Sequence, residues 1–403
     1  MPHPSRRLSL LLPLLACSGG PKGPDTGACP EGWAMSFGTA LDDEIWGVAT
    51  AADGDAFVGG FETTTSQTQA VLSRLSPDGE LRWRAEWGGD WSEKGFVVVP
   101  DGASVYLGGT QWTSLDLLDT TAFLARFDAT SGELQADTTW TSDGWDEIDG
   151  VVPLDDGVLV SGWSSEGDDP QLRVARLDDA LEPVWDVTWG SDGTDELNGH
   201  LVVIGEVAYG VGRWEGVGGF LYGDAVFFAL DITSGERLWT TTDGDALAYD
   251  DALGLATDGE ALYAVGYGDI AGDGKNLRLW ALDLDGELRW ETDWGGAGTE
   301  AGRAIGVDAT GDLIVAANTD SDGDGASDIA LLRVRASDGE ILDEARFGGA
   351  SEDAAHDVAL DGETVWISAE TSSFGAGLSD GLVLRGCLDP LSLPDPSAVT
   401  AGD

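Results

Sequence analysis

The side chains able to do chemistry in this chain are overwhelmingly carboxylates. Asp and Glu number 74 against 20 Lys and Arg, and the only histidines are His3, His200 and His356. The densest acidic group runs Asp320-Ser321-Asp322-Gly323-Asp324-Gly325-Ala326-Ser327-Asp328. Carboxylates at alternate positions and a Gly at the bend fit the first nine positions of a calcium loop, with Asp320, Asp322, Asp324 and Asp328 as candidate metal ligands. Position twelve is Leu331 rather than a bidentate Glu. The readings open to this segment are therefore weak calcium binding or a solvated polar loop, and Asp269 and Asp273 form a fainter echo.

A second acidic set recurs along the chain. Asp43, Glu93, Asp146, Asp195, Glu300 and Asp353 each lie six residues after an aromatic-Gly step or its counterpart, and Asp250 matches after a one-residue shift. Such a ring either focuses a field for a cation or cationic partner, or supplies acceptors to backbone N–H groups of local turns. Recurrence in every copy favours the turn role, because functional sites usually break repeat symmetry. No Gly-x-x-x-x-Gly-Lys loop occurs. His200 and His356 read as satisfied inner-strand histidines rather than general bases, so no catalytic residue is assigned. Trp91, Trp112, Trp145, Trp163 and Trp214 lie in or beside loops, where an indole stacks on a sugar, anchors a protein partner or packs between blades.

These residues are carried by one unit written seven times. The steps Phe37-Gly38, Trp87-Gly88, Trp189-Gly190, Trp294-Gly295 and Phe347-Gly348, with Trp140-Thr141 and Asp243-Gly244 in two diverged copies, are spaced by 50, 53, 49, 54, 51 and 53 residues. Each copy holds four short β-branched and aromatic runs separated by turn residues; in the second copy they are 95–99, 105–109, 122–127 and 133–140. Four strands in roughly 50 residues, repeated seven times, predict an all-β seven-bladed β-propeller over residues 29–388. With 42% hydrophobic residues and 17 Trp, the chain has the apolar content to fold despite a net charge of −54. That charge sets it against phosphate backbones and anionic lipid surfaces, so no nucleic-acid partner is expected.

The seventh copy lacks its outer strand, since Gly386-Cys387-Leu388-Asp389-Pro390 follows Arg385. The chain begins with the missing piece, and Trp33 stands four residues before Phe37 as Trp83, Trp185, Trp239 and Trp290 stand before their steps. The N-terminal strand is therefore expected to complete the last blade and remove a sheet edge. Cys387 aligns with Asp128, Asp178, Asp231 and Asp283, which open the third-to-outer-strand turn, and Cys29 with Gly79, Gly132, Gly235, Gly286 and Gly339, which end it; this predicts a Cys29–Cys387 disulfide across the interrupted turn. Residues 389–403 are left as a C-terminal tail.

Arg6-Arg7, an apolar run from Leu8 to Leu15, and Ala16-Cys17 form an export signal too short to span a bilayer permanently. Leu14-Leu15-Ala16-Cys17 resembles the bacterial lipobox, which implies a signal peptide over 1–16, lipidation at Cys17 and a tether over 17–28. Ser18 after the cysteine implies, by the same resemblance, an outer-membrane lipoprotein facing the periplasm or the surface.

The copies themselves resemble the SBBP (seven-bladed β-propeller) repeats of secreted bacterial proteins, through Trp294-Gly295-Gly296 followed by Ile305-Gly306-Val307-Asp308. The stretch 229–239, Ala-Leu-Asp-Ile-Thr-Ser-Gly-Glu-Arg-Leu-Trp, resembles the Trp-docking motif of PQQ-like propellers, repeated with one residue fewer over 281–290. The resemblance implies structural motifs that pack blades, without a quinone in many members. The expected function is a non-catalytic, lipid-anchored scaffold, monomeric and without a cofactor other than calcium, that binds a protein or glycan at the cell envelope. The alternatives are a quinoprotein-like or glycan-active enzyme, or an envelope protein-assembly factor.

Overall fold

The computed structural model describes residues 29, 32–65, 67–89, 91–112, 120–142, 144–166, 169–190, 200–215, 223–244, 249–270, 274–321 and 326–402. Cys17 with the whole of 1–28, Asp195, Asp273, Asp322 and Asp324 lie outside the described residues. Among the described residues no helix is long and apolar enough to cross a membrane.

The chain forms seven antiparallel sheets arranged as a β-propeller. Six are four-stranded with the strands in chain order, and the seventh is completed from the N-terminus. The innermost strands of blades 1 to 7 are Glu44–Thr50, Ser92–Asp101, Asp146–Leu154, Val202–Ile204, Asp251–Thr257, Glu300–Val307 and Asp353–Asp361. The outermost strands of blades 1 to 6 are Leu81–Trp87, Leu134–Trp140, Pro183–Trp189, Arg237–Asp243, Leu288–Trp294 and Ile341–Phe347. In blade 7 that place is taken by Trp33–Phe37, antiparallel to Asp380–Leu388 with Trp33 opposite Arg385 and Phe37 opposite Gly381. The Cys29–Cys387 disulfide closes the interrupted turn, with Cα atoms 5.9 Å apart.

Residues beyond 388 are more than a tail. Leu391–Ser392 folds back on Leu388, and Thr400–Ala401 runs parallel to Met35 and Ser36, adding a strand outside the N-terminal one. Gly402 donates its N–H to the Ser36 carbonyl at 2.7 Å. The edge that an N-terminal outer strand exposes is thus covered by the chain's own C-terminus.

Each blade is a twisted sheet with two apolar faces, and its burial comes from its neighbours. The buried residues accordingly fall into seven clusters, one per seam between blades. Leu72 and Leu107 meet at the first seam, Val315 and Leu277 at the fifth, and Val48 and Trp366 at the last.

Polar docking locks the rim of most seams. The indole N–H of Trp83 donates to the Ala129 carbonyl in the next blade's turn (3.1 Å). Trp185, Trp239, Trp290 and Trp33 do the same to Ile232, Leu284, Ala336 and Pro77. The ring lies flat on a turn glycine: a Cβ on Gly132 would sit 2.6 Å from Trp83, and one on Gly235 2.9 Å from Trp185. Both glycines also need positive φ, +74° and +72°. The seam between blades 2 and 3 inverts this arrangement. Its outer strand carries Ala136 where the indole belongs, and the turn carries Leu181 where the glycine belongs. Leu181 keeps the left-handed conformation (φ +63°) and is buried against Ala136. The leucine fills the space of the missing indole and tolerates a backbone strain of about 1–2 kcal/mol.

Two outcomes follow for denaturation experiments. Replacing both Cys29 and Cys387 by Ser should lower the unfolding free energy by several kcal/mol, up to the ~5–6 kcal/mol of the loop-entropy account; an unchanged urea midpoint would show that strand pairing alone holds the ring. Leu181→Gly should cost about 2–3 kcal/mol by opening a cavity, and Ala136→Trp in the same chain should restore most of it. Additive losses in that double-mutant cycle would contradict the compensation.

Candidate functional site

The recurring carboxylates prove to be buried latches. Asp43, Glu93, Asp146, Asp250, Glu300 and Asp353 are at most 1% exposed, within one residue of the start of the innermost strands. In five of them an oxygen accepts from the backbone N–H four residues earlier: Thr39 to Asp43, Gly89 to Glu93, Ser142 to Asp146, Gly296 to Glu300 and Gly349 to Asp353. Other donors arrive from the neighbouring strands. Asp146 also accepts from Ser164 Oγ (2.5 Å) and Arg173 Nη1 (3.2 Å), Glu300 from Thr319 Oγ1 (3.0 Å), and Asp250 from Arg278 Nη1 (3.2 Å). Five of these carboxylates pin their own blade connections, and all six described ones are closed to solvent. The desolvation of each charge is offset by local hydrogen bonds.

The Asp-rich segment is described only at its ends. Asp320 accepts from the Thr299 N–H across the blade connection, and Asp328 begins a third strand opposite Thr319. Both ends are therefore tied into blade 6.

A different position opens onto the axis. In six innermost strands a β-bulge leaves one residue unpaired: Trp46, Phe96, Asp149, Leu253, Arg303 and His356. A bulge breaks the alternation of the strand and re-aims one side chain. All six line a single axial cavity of about 270 Å³, together with Glu147, His200 and Asp357. In five copies the bulged residue lies nine positions after the aromatic-Gly step or its counterpart, and in the fifth copy ten. Its type changes at every copy while its neighbours stay mostly small or aliphatic, and that change is the signal sequence reasoning missed.

The part of the cavity between blades 7 and 1 concentrates titratable groups. The His356 ring stacks on Trp46 with centroids 4.1 Å apart and planes at 15°, and Trp46 meets Phe96 edge-on at 5.2 Å. Trp46 Nε1 donates to Glu44 Oε2 at 2.5 Å. His356 Nε2 stands 4.0 Å from Glu370 Oε1, too far for a hydrogen bond, and is buried without a hydrogen-bond partner. The expectation of a satisfied histidine therefore fails at His356. Burial, reinforced by Arg303, lowers its imidazole to about 3 and keeps it neutral. Burial, with Glu44 and Glu352 nearby, raises the Glu370 carboxyl to about 7. Asp357 is also raised by burial, although its oxygens accept from the Val48 and Val358 N–H groups at 3.1 and 2.7 Å.

Three of the five loop tryptophans come together beside this cavity. Trp145 and Trp163 are parallel (10°) at 5.9 Å, and Trp112 meets Trp145 edge-on at 6.3 Å. Trp163 Nε1 donates to Glu147 Oε1 at 2.6 Å, which joins the cluster to the axial wall. Trp214 packs in the seam between blades 3 and 4, and Trp91 is exposed on its own.

Neither a family model nor a curated protein matches the sequence. Among solved structures, the β-propeller domain of the Trilobed protease from Pyrococcus furiosus, described as having an open velcro topology, superposes with a TM-score of 0.51. The match covers 87% of this chain and 96% of that one at 10% identity. At that identity the likeness is one of fold. In this chain the velcro strand is Trp33–Phe37, and a disulfide lies at its entrance.

The latches give a direct test of their role. Asp353→Ala strands the Gly349 N–H and the Thr371 hydroxyl in a buried site and should cost about 2–4 kcal/mol in urea unfolding. A loss below about 0.5 kcal/mol would mean that the connection closes without its carboxylate.

Proposed function

We propose that this chain is a non-catalytic, extracytoplasmic scaffold that binds a glycan or protein across the propeller face where the innermost strands begin. In this reading residues 1–16 direct export, Cys17 carries the lipid, and 17–28 tether the propeller to the envelope. The observation that carries the binding role is the Trp112–Trp145–Trp163 cluster, tied through Glu147 to the axial cavity. Half-buried indoles held rigid by their neighbours offer large contact area at little cost in conformational entropy, whether to a sugar ring or to a partner's apolar side chain. The axial wall beside them is where the copies differ most in chemistry. A frame held constant around a divergent centre suits recognition of one ligand shape.

Titration of the purified protein with envelope glycans and with envelope protein fractions, read by tryptophan emission and by surface capture, separates the two ligand classes. Trp145→Ala with Trp163→Ala should weaken the productive interaction at least tenfold and leave the melting temperature within a few degrees. Undiminished binding by that variant would remove the cluster from the site. Cys17→Ala should move the protein from the membrane fraction to the soluble one, and retention in membranes would contradict the lipid anchor.

A further inference from the structure

Among the described residues, one group of three metal-ligating side chains has its ligand atoms within 4.8 Å of one another: Glu44, His356 and Glu370. They come from two blades that are adjacent only because the ring closes. Glu44 begins the innermost strand of blade 1; His356 is the bulged residue of blade 7, and Glu370 lies on that blade's second strand, Thr364–Thr371.

Each side chain is oriented by a contact that leaves a ligating atom toward the others. Trp46 donates to one oxygen of Glu44, and Ser379 Oγ to Oε2 of Glu370 at 3.3 Å. The indole of Trp46 also holds the face of the His356 ring. A metal-binding imidazole and its carboxylate partners ordinarily depend on such outer contacts for orientation. The second observation is His356 itself. Its side chain is 6% exposed, and Nε2, on the ring edge toward Glu370, has no hydrogen-bond partner. An unpaired buried polar atom of this kind costs on the order of 1–3 kcal/mol, and no described residue pairs with it.

We propose that Glu44, His356 and Glu370 bind one borderline divalent cation, of the Zn²⁺ class, at the axial seam between blades 7 and 1. One imidazole with two carboxylates selects this class over Ca²⁺ or Mg²⁺, which take oxygen ligands throughout. Ligands placed ~2.0–2.2 Å from a four-coordinate ion lie roughly 3.4 Å apart. The 4.0 Å between His356 Nε2 and Glu370 Oε1 therefore needs a shift of about half an ångström. Three protein ligands leave one coordination position, which solvent in the axial cavity fills. The ion ties the first blade to the last from the inside, as the velcro strand and disulfide tie them from the outside. This inference does not rest on the glycan or protein reading.

A chain with 74 acidic residues adsorbs divalent ions non-specifically, so the test is competitive. Protein stripped with a chelator is titrated with Zn²⁺ by calorimetry in millimolar Mg²⁺ and Ca²⁺, and its melting temperature is followed at each ratio. The parent should bind one Zn²⁺ per chain and melt higher with it. His356→Phe, which keeps a ring on Trp46, and Glu370→Gln should each weaken that binding at least tenfold and abolish the rise. Should His356→Phe fail to fold, Glu370→Gln decides alone. Absence of saturable Zn²⁺ binding in the parent, displacement by millimolar Ca²⁺, or unchanged affinity in the folded variants would overturn the proposal.

Discussion

A blade of this propeller cannot bury its own faces, and every other feature of the molecule answers that constraint. The apolar residues collect between sheets, in seven seams of comparable make-up. A ring built this way has no interior seam more important than the one that closes it, because leaving one open exposes two apolar faces and a sheet edge at once. Closure is correspondingly redundant. The Trp33–Phe37 strand, the Cys29–Cys387 bridge and the returning Thr400–Ala401 strand all act on blade 7.

Much of this frame could be read from the sequence because repetition multiplies weak signals. A single Trp four residues before an aromatic-Gly step means little; the same spacing at residues 83, 185, 239 and 290 defines a docking surface, and Trp33 then identifies the displaced strand. The disulfide followed from the same alignment, since Cys29 and Cys387 occupy the two ends of a turn whose other copies are continuous. The axial wall was not legible for the opposite reason. A bulge is a register event, decided by how two strands pair, so the residue it re-aims cannot be picked out before the pairing is known. Glu44, His356 and Glu370 are far apart in the chain and belong to no shared motif. Only the ring closure makes them neighbours.

The molecule thus divides its acidic residues by role. Those that recur are buried at the blade connections, where backbone N–H groups and side-chain donors accept the charge, as at Asp146 and Asp353. Others cap turns: Asp128 and Asp231 each collect two backbone N–H bonds and a serine hydroxyl, which hold both carboxyls below their usual value. Glu370 and Asp357 at the axis shift the opposite way from Asp128 and Asp231, since burial raises both, as it does Asp224 and Asp380 elsewhere.

The leucine–alanine exchange at the second seam bears on how such a ring can change. Where an indole lies on a glycine, one blade's rim fits the next in the same way at several seams, so a copy gained or lost there would meet a familiar neighbour. The turn bearing Leu181 fits only a rim bearing a small residue such as Ala136. Set against Trp83 or Trp185, it would collide with the ring. Blades 2 and 3 are therefore matched to each other, and a blade exchanged at that joint fits only if residues 136 and 181 change together.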